Sequence, residues 1–292
     1  MNSVVEHKQL QRSGYAIHYF VSGQVGNPLI VLVHPAFADH RAFDHQIDYF
    51  AQHYRVITLD LLGHGLSRFT GGQDKIDASA EHICAIMDNE GYQRAHLAGV
   101  SLGSLIAQYV ALCYPDRVAS LTVLGGYNIN ADNRAVQKAQ NGEMLKWLLR
   151  ALWSMNSLRR HVASVSLKKP EEQAKFYEMA QGFHFRSFMA MQGMGKVIQK
   201  RDGVQRTYPL LLACGDQDLP LAHHAARAWH ANDPGSELQF IKDAGHCANM
   251  DQPEAFNAAL AAFLTTAKGE NDANQLSDTH FVEVNHESTI IQ

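Results

Sequence analysis

The 292-residue chain has few cysteines, little charge and no long apolar run. Its four cysteines, Cys84, Cys113, Cys214 and Cys247, stand far apart and form no C-x-x-C pair. That excludes a zinc-ribbon cage and a small disulfide scaffold, and it points to reduced thiols in a cytoplasmic protein. Lys and Arg number 25 against 29 Asp and Glu, so the net charge is −4, and only 18% of residues are charged. With no basic stripe, nucleic-acid binding is not expected. No run approaches the about 18 apolar residues of a membrane-spanning helix, so no integral membrane segment is expected. Met1 to Leu10 is polar and lacks the apolar centre of a secretory leader. No internal repeat is present.

What the chain has in excess is histidine, with 17 residues. Metal is the first chemistry such a number raises, and spacing argues against it. There is no H-E-x-x-H. The nearest approach to an H-x-H-x-D-H cluster is His34 to His40 (HPAFADH), where Ala36 replaces the middle histidine. His223 and His224 are adjacent on an expected helix and point to different faces. No metal and no organic cofactor is therefore expected.

The order of elements is informative. Val4 to Leu10 and Tyr15 to Val21 read as two strands around a turn at Ser13-Gly14. Leu29 to His34 (LIVLVH), Arg55 to Asp60, Ala95 to Val100 and Val118 to Leu124 are short apolar runs that suit strands covered on both faces. Helical spacing falls between them, over Asp39 to His53, from Asp77 to Gly91, and from Ser101 to Tyr114. Strand and helix in alternation predict an α/β fold with a doubly wound, mostly parallel sheet. From about Tyr127 to Arg206 no strand is expected. Glu143 to Arg160 is amphipathic, and Lys169-Pro170-Glu171 marks a helix start. Alternation resumes at Tyr208 to Cys214, Leu219 to His230, Leu238 to Lys242 and Gln252 to Leu264. The expected organisation is a core of residues 1–126 and 207–268, a helical cap inserted at 127–206, and a polar C-terminal tail at 269–292. Within that tail, Phe281 to Val284 is a possible strand.

Gly99-Val100-Ser101-Leu102-Gly103 matches G-x-S-x-G. It sits between an expected strand and an expected helix, the setting a nucleophile elbow needs. The glycines permit the sharp turn, and the helix start brings free N–H groups toward a developing oxyanion. Chance alone gives on the order of 0.1 such matches in a chain of this length, so the context carries the weight. A serine hydroxyl needs a base, and the base needs an orienting carboxylate. Late strands end in Cys214-Gly215-Asp216-Gln217-Asp218, with two acidic candidates, and in Asp243-Ala244-Gly245-His246.

On these motifs the chain, over about Val4 to Leu264, resembles the α/β-hydrolase superfamily. The resemblance implies the α/β-hydrolase fold with its inserted helical cap. It selects Asp218 over Asp216 as the orienter of the base His246, with Ser101 as the nucleophile. Asp60-Leu61-Leu62-Gly63-His64-Gly65-Leu66-Ser67 is similar to the family's D-x-x-G-x-G-x-S loop and is read as structural, with His64 packed or hydrogen-bonded locally. His34-Pro35-Ala36-Phe37 occupies the family's H-G-x loop. Pro35 stands where glycine is usual and has no N–H, so the implied oxyanion donors are Ala36 and Leu102. His40 and His45 lie near this loop in sequence and are candidates to approach the site.

The cap is rich in Met and aromatic residues, which implies an adaptable, apolar pocket. Phe37, Met155, Phe188 and Met189 are the candidate pocket residues, and Arg186 is the cap cation to examine as a substrate anchor. The expected function is a serine hydrolase of a small to medium, largely apolar carboxylic ester or lactone, acting through an acyl-enzyme. Three alternatives stand: a C–C bond hydrolase, a perhydrolase, and a slow-turnover hydrolase-fold ligand receptor. Cys247, where ring-fission C–C hydrolases usually carry an aromatic residue, weighs against the first. An intact triad weighs against the last. Dehalogenases and epoxide hydrolases of this fold use aspartate at the elbow, which Ser101 replaces. A homodimer is possible.

Overall fold

The computed structural model describes residues 4–282. The chain opens with an antiparallel hairpin, β1 (Glu6–Arg12) and β2 (Tyr15–Ser22), turned at Gly14 with φ 86°. It continues through β3 (Leu29–Val33), α1 (Asp44–Phe50), β4 (Arg55–Leu59), α2 (Ser79–Asn89), β5 (Ala95–Val100), α3 (Leu102–Cys113) and β6 (Val118–Leu124). The inserted helices follow: α4 (Arg134–Trp153), α5 (Met155–Ser166), α6 (Pro170–Ala180), and the one-turn α7 (Ser187–Ala190) and α8 (Met194–Val197). The chain then returns to β7 (Leu210–Gly215), α9 (Pro220–Asn232), β8 (Glu237–Ile241), α10 (Ala248–Asp251) and α11 (Pro253–Val282).

The eight strands form one sheet in the order β1-β2-β4-β3-β5-β6-β7-β8, parallel from β4 to β8. Its central strands are buried along their whole length, as continuous apolar runs require. Side-chain alternation divides the core in two. Val31, Val33, Leu97 and Val123 pack with α2 and α3 on one face. Ile30, Leu32, Ala98, Val100 and Leu211 pack on the other face with α1, α10 and α11, and with Leu158, Val162, Phe176 and Phe183 from the insertion.

The amphipathic stretch Glu143 to Arg160 is two helices, not one. Ser154 takes an extended conformation, φ −163°, and accepts a hydrogen bond from Ser157 N–H at 3.2 Å, so it ends α4 and caps α5. The expected tail also differs, because Gly269 does not stop the last helix and α11 runs to Val282. One glycine costs a helix only about 1 kcal/mol, and no proline follows. Phe281 and Val282 are thus helical rather than the start of a strand, while Glu283 and Val284 lie outside the described residues. No helix among the described residues is long and apolar enough to cross a membrane.

Candidate active site

Ser101 forms the corner between β5 and α3, with φ 51° and ψ −117°. A non-glycine residue in this region costs of order 1–3 kcal/mol and persists only where its surroundings impose it. Here they do. Its N–H donates to Leu124 O at 2.8 Å, and its carbonyl accepts from Ser104 N–H at 3.0 Å and Ser104 Oγ at 2.6 Å. A Cβ on Gly99 would strike the Gly103 carbonyl, and one on Gly103 would strike the Val33 carbonyl, so both motif glycines are sterically required. Ser101 Oγ itself makes no hydrogen bond to the described residues.

The loop after β3 packs against the start of α3, since a Cβ on Gly103 would also stand 2.7 Å from His34 O. No peptide bond among the described residues is cis, so Pro35 is trans. His34 is fully buried and bridges two loops: Nε2 accepts from Leu61 N–H at 3.0 Å, which leaves Nδ1 to donate to Pro35 O at 2.7 Å. Burial pushes its pKa down, against the pull of Asp60. This neutral imidazole therefore holds the Pro35 carbonyl and with it the turn. Neither Ala36 N–H nor Leu102 N–H has a partner among the described residues. Both sit where the Gly103–His34 approach brings the two segments together.

Asp218 and His246 meet across the ends of β7 and β8. His246 Nδ1 lies 2.9 Å from Asp218 Oδ2 and 3.1 Å from Oδ1. A carboxylate only accepts, so Nδ1 carries the proton and Nε2 is left with a lone pair. The Asp218 side chain is 1% exposed and that of His246 22%. Burial would raise the Asp218 carboxyl, but the hydrogen bond and charge of His246, with Leu219 N–H at 2.6 Å and the Cys214 thiol at 3.5 Å, bring it below the usual value. Burial likewise depresses His246, and the Asp218 bond and charge carry it above 6.5. Asp216 is exposed and instead accepts from Ala244 N–H at 3.3 Å.

Of the candidate pocket residues, Phe37 is 2% exposed, at φ 69°, and packs on Phe183 at 4.1 Å, Trp147 at 5.4 Å and Phe188 at 6.2 Å between ring centres. Phe188 and Met155 are partly buried against the same cluster. Met189 is not: α7 buries Ser187 and Ala190, three residues apart, and turns Met189 outward to 48% exposure. Arg186 is also exposed. Phe183 lies closer to Phe37 than the expected Phe188 does, and no spacing signal distinguishes it from the other aromatics of the insertion.

His64 is buried between His34 at 5.1 Å and Phe183 at 5.0 Å. His40 is held by Asp60, Nδ1 to Oδ1 at 2.8 Å, and stacks on Phe20 at 3.5 Å. His45 reaches Glu172 at 3.6 Å. Asp39, His40 and Asp60 are close enough to share an ion. Their donors are already engaged: Arg41 forks Asp39 at 2.9 and 2.6 Å, and Asp60 accepts from His40 and from Leu66 N–H at 2.8 Å. Two open clefts, of about 310 and 410 Å³, are lined by residues around Arg55 and around Arg134, and neither is lined by Ser101 or His246.

Comparison with known proteins gives the family. The family described as the alpha/beta hydrolase family matches residues 30–259. A curated (E)-2-((N-methylformamido)methylene)succinate hydrolase of Acinetobacter baylyi is 31% identical over 264 residues, 85% of this chain and 94% of that one. A 3-oxoadipate enol-lactonase of the same organism is 25% identical over 261 residues, 85% of this chain and 93% of that one. The solved structure of a thermophilic esterase from Thermogutta terrifontis superposes with a TM-score of 0.74 at 20% identity, covering 90% of this chain and 99% of that one. The chain belongs to the alpha/beta hydrolase family, as a hydrolase with esterase and lactonase relatives.

Proposed function

We propose that the protein hydrolyses a small to medium, largely apolar carboxylic ester or lactone through a Ser101–His246–Asp218 triad. The observation that carries this reading is the Asp218–His246 hydrogen bond, which leaves a lone pair on Nε2, with the imidazole against Gly125, the residue after the Leu124 carbonyl that holds the strained Ser101 N–H. His246 Nε2 takes the Ser101 proton as Oγ attacks the acyl carbon. Ala36 and Leu102 N–H groups receive the oxyanion, each such donor being worth about 10²–10³ in rate. His246 then protonates the leaving oxygen, and the acyl-enzyme is released by water activated at the same nitrogen. Asp218 holds the tautomer and stabilises the imidazolium.

The aromatic cluster of Phe37, Phe183, Phe188 and Trp147, which includes the residue two after Pro35, supports an apolar acyl or ring group. The enol-lactonase and esterase relatives support oxygen esters. Two further relatives, at 25% and 27% identity, are 2-hydroxy-6-oxononadienedioate/2-hydroxy-6-oxononatrienedioate hydrolases, which keeps the C–C reading as the second arm of the test. The experiment is a panel of short and long p-nitrophenyl esters, lactones, ring-fission diketones and enamides, run with the full chain and with Ser101→Ala. Ester or lactone turnover that Ser101→Ala abolishes is the expected result. Turnover of the diketone alone, or activity retained by Ser101→Ala, overturns the proposal.

A further inference from the structure

Asp251 closes α10, five residues after His246, and its side chain is completely buried. It makes no ion pair among the described residues. Its carboxylate gathers backbone N–H groups from two directions. Gly245, immediately before His246, donates to Oδ2 at 2.8 Å. Lys168 donates to Oδ1 at 2.9 Å and Oδ2 at 3.0 Å, and Lys169 donates to Oδ1 at 3.1 Å. Lys168 and Lys169 are the residues that lead into α6 of the inserted helices. On the other side of the histidine, Cys247 N–H donates to Ser166 O at 3.0 Å. Gly245 itself is pressed into this junction, for a Cβ there would stand 3.1 Å from Asp251 Oδ2 and 3.2 Å from Ser166 O.

We infer that Asp251 is a positioning residue, which mounts His246 on the cap strap formed by residues 166–169. The inference rests on His246 being the base. Both neighbours of His246 are tied, one through Asp251 and one directly, to the same short segment. The seating of the inserted helices and the place of the imidazole are thus one structural variable. A carboxylate is the group this junction requires. Three N–H donors converge on it, and only an acceptor-only side chain satisfies all of them. Bonds to an ionised acceptor are also shorter and stronger than neutral ones. An asparagine there would aim its own N–H at one of those donors.

The test uses the full chain with Asp251→Asn and, separately, Lys169→Pro. Proline deletes one donor from the cap side only, and the φ of Lys169 is −78°, a value proline adopts. The ester kcat and KM are measured per active site titrated with a fluorophosphonate, and the far-downfield His246 Nδ1–H resonance is recorded. A misplacement of about 1 Å at a reacting group costs on the order of 10² in rate. We expect Asp251→Asn to lower kcat per titrated site by about 10- to 100-fold with KM changed less than about threefold. The resonance should shift or weaken, and Lys169→Pro should move both readouts the same way by less. A purely structural role would lower only the titratable fraction and the melting temperature. If both variants keep kcat per site within about twofold of the parent, the inference is overturned. Should Asp251→Asn not fold, Lys169→Pro decides alone. Failure of the parent protein to label at Ser101 would instead sink the triad.

Discussion

Acidification from pH 7 to pH 5 should destabilise the fold through histidines that are buried neutral. His64 and His82 are 0% and 2% exposed. Burial pushes their pKa values down to about 3 and about 4. Nε2 of His64 and Nδ1 of His82 have no hydrogen-bond partner among the described residues, so a proton added at either would be a buried, unpaired charge. In the unfolded chain the same groups titrate near 6.5. Unfolding at pH 5 therefore takes up nearly one proton at each. Linkage converts this to about 2 kcal/mol lost per histidine between pH 7 and pH 5, about 4 kcal/mol together, against a typical total of about 5–15 kcal/mol. His34, also fully buried and shifted down, acts in the same direction. His246 opposes them: its raised pKa contributes stability that is present below 6.5 and lost as pH rises through its folded value. Asp218 and Asp60 are shifted down, so their contributions fall away only below this window. The measurement is urea denaturation at pH 7 and pH 5 for the parent, His64→Leu and His82→Leu. Each variant should show about 2 kcal/mol less pH dependence than the parent. Variants that keep the parent's full pH dependence would refute the reasoning.

Other consequences can be checked directly. The kcat/KM of ester hydrolysis should rise with pH through a half-point above 6.5, because His246 must be neutral to accept a proton and its pKa is raised. Asp218→Asn should move that half-point down while lowering kcat by about 10⁴, read from a pH–rate profile. Gly103→Ala should prevent folding or remove several kcal/mol of stability, seen by thermal melting, because its Cβ would collide with the Val33 carbonyl. Activity should survive dialysis against EDTA, since the proposed acyl transfer needs only Ser101, His246, Asp218 and two backbone N–H groups.

The parts of the site legible in the sequence are those tied to local backbone demands. Gly99 and Gly103 flank Ser101 because the turn admits no Cβ at either place, and such demands leave fixed spacings. The apolar runs of β3, β4 and β5 are continuous because both faces are covered, and that too is local. Other features depend on residues far apart in the chain. Asp251 finds Lys168 across 83 residues, and His34 finds Leu61 across 27, with no periodicity to announce either bond. The break at Ser154 hides inside a helical hydrophobic pattern because a capping serine differs from a surface serine only in its φ and its partner. Met189 misleads for a similar reason, since a helix of one turn is too short to define an apolar face. The choice of Asp218 over Asp216 also needed more than spacing. Both follow β7, and only the fold decides which one faces the imidazole.

The inserted helices share one apolar cluster with β3, β5, β7 and α11. An insertion packed this way is not an exchangeable module. Truncating Phe176, Phe183 or Leu158 would thin the core shared with the sheet, so any change of substrate range sought through these helices draws on the same reserve of stability that keeps the protein folded. Variants that broaden the substrate range should accordingly arise more readily on a parent already stabilised elsewhere. Inserted helices grafted from a relative would have to bring segment 166–169 with them to keep its hydrogen bonds to Asp251.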